Sequence, residues 1–81
     1  MIDKNTYLNL KKEIRYLSYN NLLELCDNMK LDTEERQMLI DFYQKKKAIH
    51  TCMELGISQN TYTNHMKIIF TKIYNYKNTL K

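Results

Sequence analysis

Gln59, Asn60, Thr63, Asn64 and Lys67 carry side chains able to bond the edges of nucleobases, and their spacing is read as one helix face, opposite Tyr62, Met66 and Ile69. Asn and Gln amides pair bidentately with adenine, Lys reaches guanine acceptors, and a Thr methyl packs on the thymine methyl. Ser58 and Thr61, at the start of the same segment, carry hydroxyls suited to phosphate oxygens, helped by the unbonded N–H groups of a first helical turn. Lys45, Lys46, Lys47 and Lys72 supply positive charge to neutralise phosphates. Each of these lysines, taken alone, is equally explained by a solvated helix face.

Charge is spread unevenly along the chain. Residues 45–81 hold seven lysines against Glu54, a net +6, whereas residues 31–44 sum to −3 and residues 1–30 to +1, within an overall +4. Positive charge therefore collects around the candidate base-reading segment. Catalysis is not expected, because the sequence has no Gly-rich phosphate loop and no set of nucleophile, base and orienting acid. Cys26, His50, Cys52 and His65 match no zinc spacing, so neither a metal nor another cofactor is expected. The two cysteines form no CxxC pair and read as buried, reduced thiols. No apolar run approaches the ~20 residues of a membrane span, and the start of the chain lacks the apolar core of a signal peptide. The expected setting is cytoplasmic, without a membrane partner.

Such side chains need a rigid helix behind them. Proline is absent and Gly56 is the only glycine, so the 81 residues read as one small all-α domain of four to five helices. The first spans about Asn5 to Leu17, with Tyr7, Leu10, Ile14 and Leu17 on one face. After an interruption at Ser18, Tyr19, Asn20 and Asn21, a second runs from about Asn21 to Met29 with Leu22, Leu25, Cys26 and Met29 along one face; the two also read as one bent helix. Asp32 and Glu35 form a capping box and Glu34 suits the positive helix end, so a third helix runs from there to about Gln44. It buries Met38, Leu39 and Phe42, with Tyr43 a further candidate, and its start chemistry accounts for most of the local acids. The fourth, about Lys47 to Leu55, carries Ile49, Cys52, Met53 and Leu55 and ends where Gly56 supplies a positive φ. The last follows a Ser58 cap, with Tyr62, Met66, Ile69, Ile73, Tyr76 and Leu80 as one stripe and His65 at its boundary.

Two short helices joined by a Gly-centred turn form a helix-turn-helix, whose second helix can lie in the major groove. Close approach of the helices calls for a small residue four before the glycine, where Cys52 stands, and for apolar residues at Ile57 and Tyr62. Thr51 departs from the pattern, since an aliphatic is commoner there, although its methyl can pack. Any helical hairpin with a terminal glycine shares these features.

From Leu31 to Ile73, 43 of the 81 residues, the chain resembles without a gap the LuxR/GerE-type helix-turn-helix domain of bacterial transcription regulators. The family's opening Leu-Thr-x-x-Glu-Arg is similar to Leu31-Asp32-Thr33-Glu34-Glu35-Arg36, with Glu35, Arg36 and Leu39 in register. Its Leu-Gly-Ile-Ser-x-x-Thr-Val-x-Asn-His-Leu is similar to Leu55, Gly56, Ile57, Ser58, Thr61, Asn64 and His65, with Tyr62 and Met66 replacing valine and leucine. Its Ile-Phe-x-Lys-Leu is similar to Ile69, Phe70, Lys72 and Ile73. The resemblance implies that Thr63, Asn64 and Lys67 fall where the family's base contacts lie. Two features depart from it. Tyr74 to Lys81 is too short for the family's dimerising fourth helix and ends more like the C-terminal domain of sigma factors, and residues 1–30 resemble neither family.

The expectation is a helical extension over residues 1–30, used for dimerisation or partner docking, on a tri- to tetra-helical helix-turn-helix core over residues 31–81, in one compact domain. It would act as a small stand-alone transcription regulator, bacterial or phage, binding double-stranded DNA through a recognition helix at about residues 59–73. A homodimer is expected because one recognition helix buries little surface. Tyr76 with Leu80, or the N-terminal helices with Tyr16 and Tyr19, would supply the dimer surface, the latter being favoured. The alternative is a sigma-like or phage-type adaptor that contacts RNA polymerase or another regulator, which would not need a basic groove face.

Overall fold

The structure, a computed structural model, describes residues 2–79. They form five helices and no strand: α1 (Lys4–Tyr16), α2 (Tyr19–Asn28), α3 (Thr33–Tyr43), α4 (Ala48–Leu55) and α5 (Gln59–Thr79). The all-α class and the number of helices agree with the expectation. Leu80, assigned above to the apolar stripe, and Lys81, counted in the basic segment, lie outside the described residues.

Side-chain caps set the starts of α1, α2 and α3. Asp3 Oδ1 accepts the Thr6 N–H at 2.7 Å, Ser18 Oγ accepts the Asn21 N–H at 3.2 Å, and Asp32 Oδ1 accepts the Glu35 N–H at 2.7 Å. Glu35 Oε1 accepts the Asp32 N–H in return at 3.3 Å, which completes the expected capping box. Ser18 corrects one reading. Tyr19, Asn20 and Asn21 form the first turn of α2 instead of an interruption, and the cap divides two helices where one bent helix was an option.

The ends of α2, α3 and α4 share one device. Lys30, Lys45 and Gly56 take φ of 55, 63 and 67°. The N–H of the following residue then reaches back across the last turn, from Leu31 to Cys26 O, from Lys46 to Asp41 O and from Ile57 to Cys52 O. Only one of the three left-handed positions is a glycine.

Residues of α1, α2, α3 and α5 share a single hydrophobic core, so the segment before Leu31 is built into the same body as α3 and α5. Phe70 is fully buried within it, and the rings of Tyr7 and Phe42 meet it edge-on with centroids at 5.1 and 5.6 Å. The stripe expected on α5 is therefore wider than drawn: Met66, Ile69 and Ile73 are buried, Tyr62 and Tyr76 half-buried, and Phe70 joins them. Tyr43 is half-buried, and its hydroxyl donates to Leu17 O at 2.6 Å, tying α3 to the α1–α2 junction. Cys26 and Cys52 are both free and buried, and burial pushes the Cys26 thiol above its ordinary range.

The apolar residues of α4 do not all face inward. Ile49 and Met53 are exposed, and the buried positions are Thr51 and Cys52. Thr51 Oγ1 donates to Asp41 Oδ2 at 3.0 Å, while Gln37 Nε2 donates to Asp41 Oδ1 at 2.7 Å. A buried carboxylate needs such donors, which explains a threonine where an aliphatic is commoner. Asp41 is also the acid of residues 31–44 that helix-start chemistry does not cover.

Candidate nucleic-acid interface

Gly56 sets the direction in which α5 leaves α4. Its φ of 67° is left-handed, and a Cβ built there would meet nothing within 4 Å, so the glycine answers to backbone conformation and not to space. Cys52 supplies the close approach: its Sγ lies 3.8 Å from Ser58 O. Ser58 Oγ accepts the Thr61 N–H at 3.1 Å and lies 3.0 Å from Thr61 Oγ1. Both hydroxyls are thus turned toward each other at the head of α5, and the first-turn N–H groups left for another acceptor are those of Gln59 and Asn60.

All five candidate base contacts, Gln59, Asn60, Thr63, Asn64 and Lys67, are exposed. They do not form one row. At about 100° per residue, Asn60 and Asn64 point directly away from the buried stripe, whereas Gln59 and Thr63 lie round toward the side of Phe70. Lys67 lines a hollow with Ile2, Asp3, Lys4, Tyr7 and Leu8, so α1 borders that edge of the exposed α5 face. Ile68 is 47% exposed one turn beyond Asn64 and belongs to the same outward face. It was missed because an apolar residue beside Ile69 reads as core, although its place four after Asn64 marked it.

The candidate phosphate contacts divide into two groups. Lys45 and Lys47 are exposed and make no ion pair among the described residues; Lys47 is the cap residue of α4, whose first turn has no side-chain cap. Lys46 and Lys72 are engaged inside the protein. Lys46 Nζ lies 2.5 Å from Glu54 Oε1, a bond that raises its pKa, and 3.6 Å from Asp41 Oδ2. Lys72 Nζ lies 2.6 Å from Glu35 Oε2, joining α5 to the start of α3. A phosphate would have to compete with a carboxylate at either one.

The two edges of the α5 face differ in charge. Asp32, Glu34 and Glu35 stand with His65, Ile68 and Lys72 on the α3 side. His65 is half-buried there, at the boundary position expected of it. The α1 side is basic. Among the described residues no three His, Cys, Asp or Glu side chains converge as a metal site, and no helix is long and apolar enough to cross a membrane. Comparison of the chain with protein-family models, with curated proteins and with solved structures gave no match.

Proposed function

We propose that this chain is a small transcription regulator that binds duplex DNA with α5 in the major groove, in the cytoplasm of a bacterial or phage-infected cell. The observation that carries the reading is the α4–Gly56–α5 turn, from which α5 projects five exposed residues able to bond bases or phosphates. Asn60 and Asn64 take adenine edges, Lys67 takes a guanine, and Gln59 and Thr63 lie at the margin of the groove. Lys45 and Lys47 neutralise phosphates at the head of α4, where the first-turn N–H groups have no side-chain cap. Two copies present two such helices, and exposed Tyr16 and Tyr19 offer a surface to join them.

A mobility shift on random-sequence duplex at low and moderate salt tests the reading. Binding that weakens steeply with salt is expected, and no binding at low salt overturns it. Lys67→Ala is expected to cost about 1–3 kcal/mol on a specific site. Light scattering is expected to report a dimer. A second reading, an adaptor for RNA polymerase or another regulator, is favoured by Ile49 and Met53, which stand exposed one turn apart on α4. A strict monomer that ignores DNA would select it.

A further inference from the structure

We infer that the outer face of α1 is a second nucleic-acid contact, seated on the sugar–phosphate backbone that flanks the groove entered by α5. The inference rests on the reading of α5 as a duplex reader. Lys4, Leu8, Lys11, Lys12 and Arg15 recur at helical spacing, on the face turned away from buried Leu10 and Ile14. Among the described residues none of the four cations makes an ion pair, whereas Lys46, Lys72 and Lys77 each do. Glu13, the acid within α1, is turned to Lys77 of α5, and the Asp3 carboxylate is engaged in capping Thr6. The strongest unpaired charge in the described protein thus lies on α1, outside the segment where sequence counting puts it.

Two of these cations are already held in place. Lys11 Nζ lies 5.2 Å from the Tyr7 ring centroid and 5.6 Å from that of Phe42, and Arg15 Cζ lies 4.7 Å from Phe42. Seating them on rings removes part of the ordering cost of meeting an anion. The strip is also continuous with α5, because Lys4 and Leu8 border the hollow that holds Lys67. Unpaired Lys45 prolongs it past Phe42, to whose carbonyl its own N–H bonds at 3.1 Å. The opposite edge of α5 carries Asp32 and Glu34, so a duplex on α5 is drawn toward α1 and repelled from the start of α3. From Lys4 to Arg15 the face is about 16 Å long, against one duplex charge per ~1.7 Å of axis, so several phosphates fall within its length.

The test is fluorescence anisotropy of the full chain on a random-sequence duplex across a salt series, with circular dichroism to verify folding. Lys11→Gln/Arg15→Gln and Lys4→Glu/Lys12→Glu are each compared with the unaltered protein. Lys4 and Lys12 touch no ring, so the second pair reports on charge even if the first fails to fold. Each pair is expected to lower the salt slope by about 2 and to raise Kd roughly tenfold or more at about 0.1 M salt. Unchanged slopes in a protein that still binds duplex overturn the α1 contact and leave the α5 reading standing. Failure of the unaltered protein to bind duplex at low salt overturns both. The same failure accompanied by binding to phosphatidylserine–phosphatidylcholine vesicles, abolished by Lys4→Glu/Lys12→Glu, reassigns the face to a membrane surface.

Discussion

Replacing Thr51 with valine keeps the shape of the side chain and removes one hydroxyl from the contact between α3 and α4. That hydroxyl is fully buried and donates to Asp41 Oδ2 at 3.0 Å. Without it, Oδ2 keeps only Lys46 Nζ at 3.6 Å, while Oδ1 keeps Gln37 at 2.7 Å. A hydrogen bond to a charged acceptor contributes about 1.5–3 kcal/mol, and valine leaves no cavity that would add to the loss. We expect Thr51→Val to cost about 2 kcal/mol, which lowers Tm by roughly 8–16 °C in a domain of this size. Urea denaturation followed by circular dichroism measures it, with an unchanged m-value showing that the two end states are comparable. A double-mutant cycle with Asp41→Ala isolates the pair, since valine no longer harms a site that has lost its carboxylate. A loss below about 0.5 kcal/mol for Thr51→Val, or additivity within about 0.5 kcal/mol in the cycle, would refute the assignment.

The left-handed helix ends make opposite predictions. Gly56→Ala is expected to cost about 1–2 kcal/mol from φ alone, whereas Lys30→Gly and Lys45→Gly are expected to stabilise by roughly 0.5–1 kcal/mol, all readable as urea midpoints. Cys26 and Cys52 are expected to resist a thiol reagent in native buffer and to react at the rate of global opening, and fast native labelling of Cys26 would contradict its burial and raised pKa. The Thr6 N–H holds the Asp3 carboxyl below its usual value, so the cap is fully present above that value and is lost as pH falls through the lowered one. Amide exchange in the first turn of α1, corrected for intrinsic rates, is expected to quicken on acidification, and Asp3→Asn is expected to abolish that pH dependence.

Where the chain declares its helices, it does so by local chemistry. The capping box of Asp32 and Glu35, the Ser58 cap and Gly56 are each recognisable within four residues, and all three operate as read. The Ser18 cap was equally local, yet it was hidden by three weak helix formers placed directly after it. Lys30 and Lys45 could not be found this way, because a lysine in the left-handed region is imposed by the bonds that close the preceding helix. The inward and outward faces of α4 were not legible for another reason. In a helix of eight residues hydrophobicity alone does not turn Ile49 and Met53 outward, and the decisive partner, Asp41, lies ten residues away from Thr51 on another helix.

The exposure of Asn60, Asn64 and Lys67 on α5 was legible because helical spacing is a property of the segment itself, whereas Gln59 and Thr63 lie round toward Phe70; the field around the helix was not legible. Counting gives residues 45–81 a net +6, but Lys72 is spent on Glu35, 37 positions earlier, and Lys77 on Glu13, 64 positions earlier. Lys46 is held by Glu54 and Asp41. Residues 1–30 sum to only +1, yet three of their four acids are drawn off: Glu13 to Lys77, Asp27 to Arg36 and Asp3 to its own helix cap. What an approaching polyanion meets is the set of cations left unpaired, and pairing across such separations is decided only when α1 and α3 lie down against α5. The packing that sets Tyr7 of α1 and Phe42 of α3 against Phe70 therefore shifts the unpaired basic charge from the last helix toward the first.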